Sequence, residues 1–77
     1  MEIKTKLGLR IKAIRETAGM SQKDLAYTAD LDRSYIASVE SGQRNVSIVN
    51  IEKIATALGV SVKKFFEDNS FDEKKDN

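Results

Sequence analysis

The chain contains neither cysteine nor histidine. It therefore has no thiolate nucleophile, no imidazole general base and no thiolate or imidazole metal ligand. Carboxylates remain, but Asp30 and Asp32, which flank Leu31, each have a turn or helix-capping explanation. Catalysis and metal binding are not expected, and no small-molecule substrate or cofactor is implied. What the sequence does concentrate is hydrogen-bond donors and cations suited to a polyanion. Arg33, Ser34, Tyr35 and Ser38 fall within six residues, Gln43, Arg44 and Asn45 follow, and Gln22 and Lys23 lie upstream. An arginine fork matches a guanine edge or a phosphate, and hydroxyl and amide groups bond to either.

These residues need short rigid elements to hold them, and the apolar pattern supplies helices. Proline is absent, and Gly19, Gly42 and Gly59 stand where helical patterns stop, each reading as the residue after a C-cap. Ile3, Leu7, Ile11, Ile14 and Ala18 form one stripe, which predicts helix 1 over about residues 3–18. Ser21-Gln22-Lys23-Asp24 pairs an N-cap hydroxyl with a carboxylate three positions on, opening helix 2 over about 22–29. Asp32 is a suitable N-cap for helix 3, about 33–41, with Ile36 and Val39 inward. Ser47 caps helix 4, whose Ile51, Ile54, Ala55 and Leu58 share a face, and Ser61 caps a last short helix bearing Val62, Phe65 and Phe66. No strand-like alternation occurs, so the fold class expected is all-α, five short helices in residues 1–68. Helices 2 and 3, separated by Asp30-Leu31-Asp32, have the spacing of a helix-turn-helix, whose second helix can enter a major groove.

The charge is uneven. The net value is +1, yet residues 1–15 carry +4, residues 16–66 balance, and residues 67–77 carry −3. Residues 69–77 read as an acidic tail without fixed structure. With hydrophobic residues at 40% and charged residues at 32%, the composition is that of a globular chain, neither disordered nor membrane-embedded. No apolar run reaches a membrane span and the first residues lack the apolar segment of a secretion signal, so a cytoplasmic location is expected.

The order of residues resembles the Cro/CI-like helix-turn-helix family. The likeness runs through Gly8-Leu9-Arg10-Ile11, Gly19-Met20-Ser21-Gln22-Lys23-Asp24-Leu25-Ala26, Val39-Glu40-Ser41-Gly42 and Ala57-Leu58-Gly59-Val60, spanning about residues 7–66. Within that family, Leu31-Asp32-Arg33-Ser34-Tyr35-Ile36 and Arg44-Asn45-Val46-Ser47-Ile48 are most similar to the controller proteins of restriction–modification systems. Many family members carry a proline in the loop before helix 4; Asn45-Val46-Ser47 departs from that pattern and agrees with the controller variant. The resemblance implies a lambda-repressor-like domain that binds a palindromic double-stranded DNA operator as a homodimer. It further implies control of an endonuclease gene and of its own gene.

Each candidate has an ordinary reading beside the functional one. Arg33 is either a solvated cation paired with Asp30 or Asp32 or, as the resemblance implies, a base reader. Ser34 and Ser38 are surface hydroxyls or base or phosphate contacts. Tyr35 packs its ring on the domain or, on the controller likeness, reaches phosphate or a thymine methyl. Gln22, at the start of helix 2, is positioned for a phosphate oxygen. Arg44 and Asn45 form a backbone clamp beside helix 3, with Lys23 and Gln43 as auxiliary phosphate contacts. Arg15 and Glu40 match family positions that form an internal ion pair. Val49 points away from the helix 4 stripe, and with Ile48, Val62 and Phe65 or Phe66 it offers an apolar patch for a twofold partner. Competing identities are a phage-type repressor and an antitoxin or other protein-interaction module, which would have no need of polar groups at Arg33-Ser34-Tyr35.

Overall fold

Helix boundaries in this chain follow local hydrogen-bond signals. In the computed structural model, which describes residues 2–72, five α-helices follow in order: α1 (Ile3–Thr17), α2 (Gln22–Ala29), α3 (Arg33–Glu40), α4 (Ile48–Ala57) and α5 (Val62–Phe65). A 3-10 turn, Asn69–Phe71, comes last. Ser21 and Asp24 form a reciprocal capping box: the Ser21 hydroxyl accepts from the Asp24 amide at 2.9 Å and the Asp24 carboxylate accepts from the Ser21 amide at 3.0 Å. Ser47 and Ser61 cap α4 and α5 through the amides of Asn50 and Lys64. Asp32 occupies the N-cap position of α3 but makes no side-chain capping bond there, a departure from the expectation. Its backbone is extended, which starts the helix without help from the carboxylate.

Helices α1, α3 and α4 end alike. The left-handed residue after the last turn is Gly19, Gly42 or Gly59, and the next amide returns to a carbonyl five residues back, as in Met20 to Arg15 at 3.0 Å. Helix α2 closes the same way through Asp30, which holds φ 57° without the freedom of glycine. This residue makes the sharp corner that lets α3 cross α2 after three residues.

Helix α3 packs on α1 and α2; α2 also packs on α4, and α4 on α5. The core consists of Leu7, Ile11, Leu25, Ala26, Ile36, Val39, Ile54, Ala55, Leu58 and Phe65. Two ends of the expected α1 stripe stay outside it: Ile3 is 60% exposed and Ala18, at the C-cap, is also exposed. Periodicity continues past the length that neighbouring helices cover. Gly8 is buried where α1 meets the last turn of α3, and a Cβ there would fall 2.5 Å from the Glu40 carbonyl oxygen and 2.6 Å from that of Val39. Only a residue without a side chain permits that approach.

Arg10 joins the two ends of the described chain. Its Nε donates to the Phe65 carbonyl at 2.7 Å, Nη2 donates to the Lys64 carbonyl at 3.1 Å, and Nη1 lies 3.6 Å from the Asp68 carboxylate. The Phe65 carbonyl, left over at the end of α5, is thereby satisfied, and the Lys64 carbonyl, which already accepts from the Glu67 amide at 3.1 Å, gains a second donor. Beyond it, Phe71 stacks edge-on against Phe66, which stacks edge-on against Phe65, at 5.0 and 4.9 Å between ring centroids. The segment expected as tail from residue 69 thus opens with an ordered turn, and its residues 73–77 lie outside those described.

Candidate nucleic-acid interface

A buried ion pair sets the base of the site. The Arg15 guanidinium meets the Glu40 carboxylate through Nε to Oε2 at 2.7 Å and Nη2 to Oε1 at 3.0 Å, while Nη1 donates to the Met20 carbonyl at 2.8 Å. Both residues are buried, and the paired carboxylate drives the already high Arg15 pKa higher still. Arg15 belongs to α1 and Glu40 ends α3, so this pair, together with the close approach at Gly8, fixes the angle at which α3 leaves the core. Gln22, at the first position of α2, joins the same group: its Nε2 donates to Glu40 Oε1 at 3.1 Å. One N–H of the Gln22 side chain is therefore taken, and the amide's second N–H and the free backbone N–H groups of the α2 N-terminus remain for the expected phosphate grip. That restraint also fixes where the amide points.

Arg33 and Ser34 stand exposed at the N-terminal end of α3. No salt bridge among the described residues involves Arg33, so pairing with Asp30 or Asp32 does not occupy it. Arg33 shares a shallow hollow with Arg15, Ser21, Gln22 and Lys23. Three cations and two neutral polar groups line it, with no carboxylate among them.

One turn further along α3 the polar residues bond to one another. Tyr35 is half-buried, and its hydroxyl accepts from Asn50 Nδ2 at 3.0 Å. Accepting leaves the phenolic proton free to be donated outward. The Ser38 hydroxyl donates to the Tyr35 carbonyl at 2.8 Å and accepts from Arg44 Nε at 3.0 Å. The Arg44 guanidinium lies over the Tyr35 ring, 5.4 Å from its centroid. Gln43, Arg44 and Asn45 are all exposed in the loop between α3 and α4, and Lys23 is exposed on α2. The sequence reading missed Asn50. Its signal was a polar residue in the first turn of α4, where a pattern search looks only for the apolar stripe.

The residues of the expected apolar patch differ in exposure. Ile48 and Val49 are 66% and 59% exposed at the start of α4, and Val62 and Phe66 are half-buried. Phe65 is 1% exposed and fills the core, so it is not available to a partner; Phe66 is the member of the pair that reaches the surface. Among the described residues no helix is long and apolar enough to cross a membrane.

Comparison with known proteins places this arrangement. Residues 11–65 match the helix-turn-helix family. The control protein C.MunI of a Mycoplasma species is 44% identical over 68 residues, which cover 87% of this chain and 92% of that protein. The restriction–modification controller protein C.AhdI of Aeromonas hydrophila is 49% identical with a TM-score of 0.79, covering 82% of this chain and 96% of that one. The C.Esp1396I tetramer, solved in complex with its natural 35 base-pair operator, gives a TM-score of 0.83 at 43% identity, covering 87% of this chain and 88% of that one.

Proposed function

The chain belongs to the helix-turn-helix family, in its branch of restriction–modification controller proteins, and on that premise we propose that it is a sequence-specific DNA-binding transcription regulator that controls such a system. It acts on a palindromic operator in the cytoplasm as a homodimer, as a regulator and not a catalyst. The observation that carries this reading is the exposed, unpaired Arg33 on the free face of α3, beside a hollow lined by cations and neutral polar groups. A guanidinium left without a partner among the described residues is available to a base edge, where its two parallel donors match guanine O6 and N7. The C.Esp1396I tetramer, whose fold this chain shares, was solved on its operator.

On this reading we assign the following roles. Arg33 reads a base, and Ser34 lies beside it at the groove. The Tyr35 hydroxyl, Gln22 amide, Lys23, Gln43, Arg44 and Asn45 face the two phosphate backbones and set register without reading sequence. Ile48, Val49, Val62 and Phe66 meet their twofold copies, holding the two α3 helices about 34 Å apart for successive major grooves. The test is fluorescence anisotropy with duplexes from upstream of the chain's own gene and with random DNA, at several salt concentrations. Arg33→Ala should cost about 1–3 kcal/mol on the operator and much less on random sequence. Arg44→Ala should weaken both and lower the salt slope by about one unit. A wild type that binds both DNAs alike would refute the proposal.

A further inference from the structure

Arg44 sits in a loop with no regular structure, exposed, where a long cationic side chain ordinarily samples many rotamers. Here it is held at two places. Its Nε is bonded to Ser38 Oγ at 3.0 Å, and its guanidinium lies over the Tyr35 ring. Both holding groups are themselves fixed. The Ser38 hydroxyl gives its proton to the Tyr35 carbonyl, which turns a lone pair toward Arg44, and the Tyr35 hydroxyl is bonded to Asn50 on α4. Helix α3 therefore holds the guanidinium directly, and α4 braces one of the two holding groups. Because Nε is used internally and no side-chain bond among the described residues takes Nη1 or Nη2, their four N–H bonds remain available to a ligand.

We propose that Ser38 serves DNA binding as a positioning residue, clipping Arg44 to the recognition helix so that the loop arginine meets a backbone phosphate already in place. This inference rests on the DNA-binding reading and assigns Ser38 a part different from a base or phosphate contact. Its hydroxyl has spent its proton and one lone pair inside the protein. The clip removes rotamer freedom before binding, so less is lost when the complex forms. The charge delivered to the phosphate is unchanged, and so is the number of counterions released.

The test compares wild type, Ser38→Ala, Ser38→Thr, Arg44→Ala and the Ser38→Ala/Arg44→Ala double variant by operator titration at several salt concentrations. Thermal melts check that each is folded. In parallel, 15N relaxation of the Arg44 Nε–H is measured in the free protein. Ser38→Ala should raise Kd about 2- to 10-fold with the salt slope unchanged. Ser38→Thr, which keeps the hydroxyl, should restore binding, and Ser38→Ala should add nothing once Arg44 is gone. The Nε–H should be ordered in wild type and loosened in Ser38→Ala. Additive losses in the double variant would overturn the proposal by making Ser38 a direct contact. An Nε–H equally mobile in wild type and Ser38→Ala would overturn it as well. Should wild type fail to discriminate the operator, the regulator reading falls, while the Nε–H comparison still decides for or against the clip.

Discussion

Replacing Gly8 with alanine sets two helix effects against each other. Alanine in a helix interior is favoured over glycine by ~0.8–1.0 kcal/mol, so an unobstructed Gly8→Ala would stabilise the chain. The new Cβ, however, would lie 2.5 Å from the Glu40 carbonyl oxygen, 2.6 Å from that of Val39 and 2.8 Å from the Glu40 carbonyl carbon, where ordinary contact begins at 3.4 Å. All three are backbone atoms of the last turn of α3, and no rotamer change can withdraw them. Helices α1 and α3 must part by nearly an ångström, an overpacking of the kind that costs about 1–3 kcal/mol. The upper half of that range applies, because the same turn carries Glu40 and its separation from α1 lengthens the Arg15 pair. The net expectation is a loss of about 1–2 kcal/mol, read as a Tm lowered by roughly 5–15 °C for a domain of this size. Urea unfolding followed by far-ultraviolet circular dichroism at pH 7 measures it. A variant as stable as wild type, or more stable by the propensity difference, would refute the close approach and with it the account of how α3 is held.

Other outcomes follow from the same geometry. Arg15→Met or Glu40→Met alone should cost ~2–4 kcal/mol, because either leaves a buried charge unpaired, and the double variant should lose less than their sum; strict additivity in thermal melts would mean no coupling. Asp24 and Asp68 titrate below the usual carboxylate range, the first held by the Ser21 amide and hydroxyl, the second by the Ser70 hydroxyl and amide with Arg10 nearby. Their contribution to stability is complete above the unfolded value of about 3.9 and disappears as pH falls through their lowered values, so Asp24→Asn/Asp68→Asn should flatten the acid limb of Tm against pH; an unchanged limb would contradict this. Ile48→Glu/Val49→Glu should leave the fold intact and abolish the dimer in sedimentation at micromolar concentration, and a wild type that is monomeric both alone and on operator DNA would defeat the twofold assignment.

Helix ends were legible because their signals are local. Serine caps at 21, 47 and 61 and glycines at 19, 42 and 59 lie within a few residues of the bonds they make, and all six work as read. The clustering of the polar candidates was legible for the same reason, along one short helix and its following loop. What periodicity could not carry is approach between elements. Gly8 reads as a weak point in a helix until α3 is laid against it. Phe65 and Phe66 are equivalent neighbours until the core admits one of them. The bond from Arg44 to Ser38, six positions back, has no signal in the pattern. Asp32 shows the reverse case, in which a good local signal is present and the side-chain bond is not made.

The Arg10 clasp has a consequence for the order in which the chain assembles. Helix α5 is four residues long, well below the length at which a helix persists in water by itself, so it exists only once docked. Its fastening to α1 joins residues 55 apart in sequence, whereas the corner between α2 and α3 closes over three. Loop-closure entropy favours the short closure first, so the helix-turn-helix corner is expected in the folding nucleus and the clasp after the transition state. An interaction formed that late leaves the folding rate nearly untouched and acts as a brake on unfolding. The arginine that fastens α5 to α1 is thus expected to set how long a folded molecule lasts before it opens.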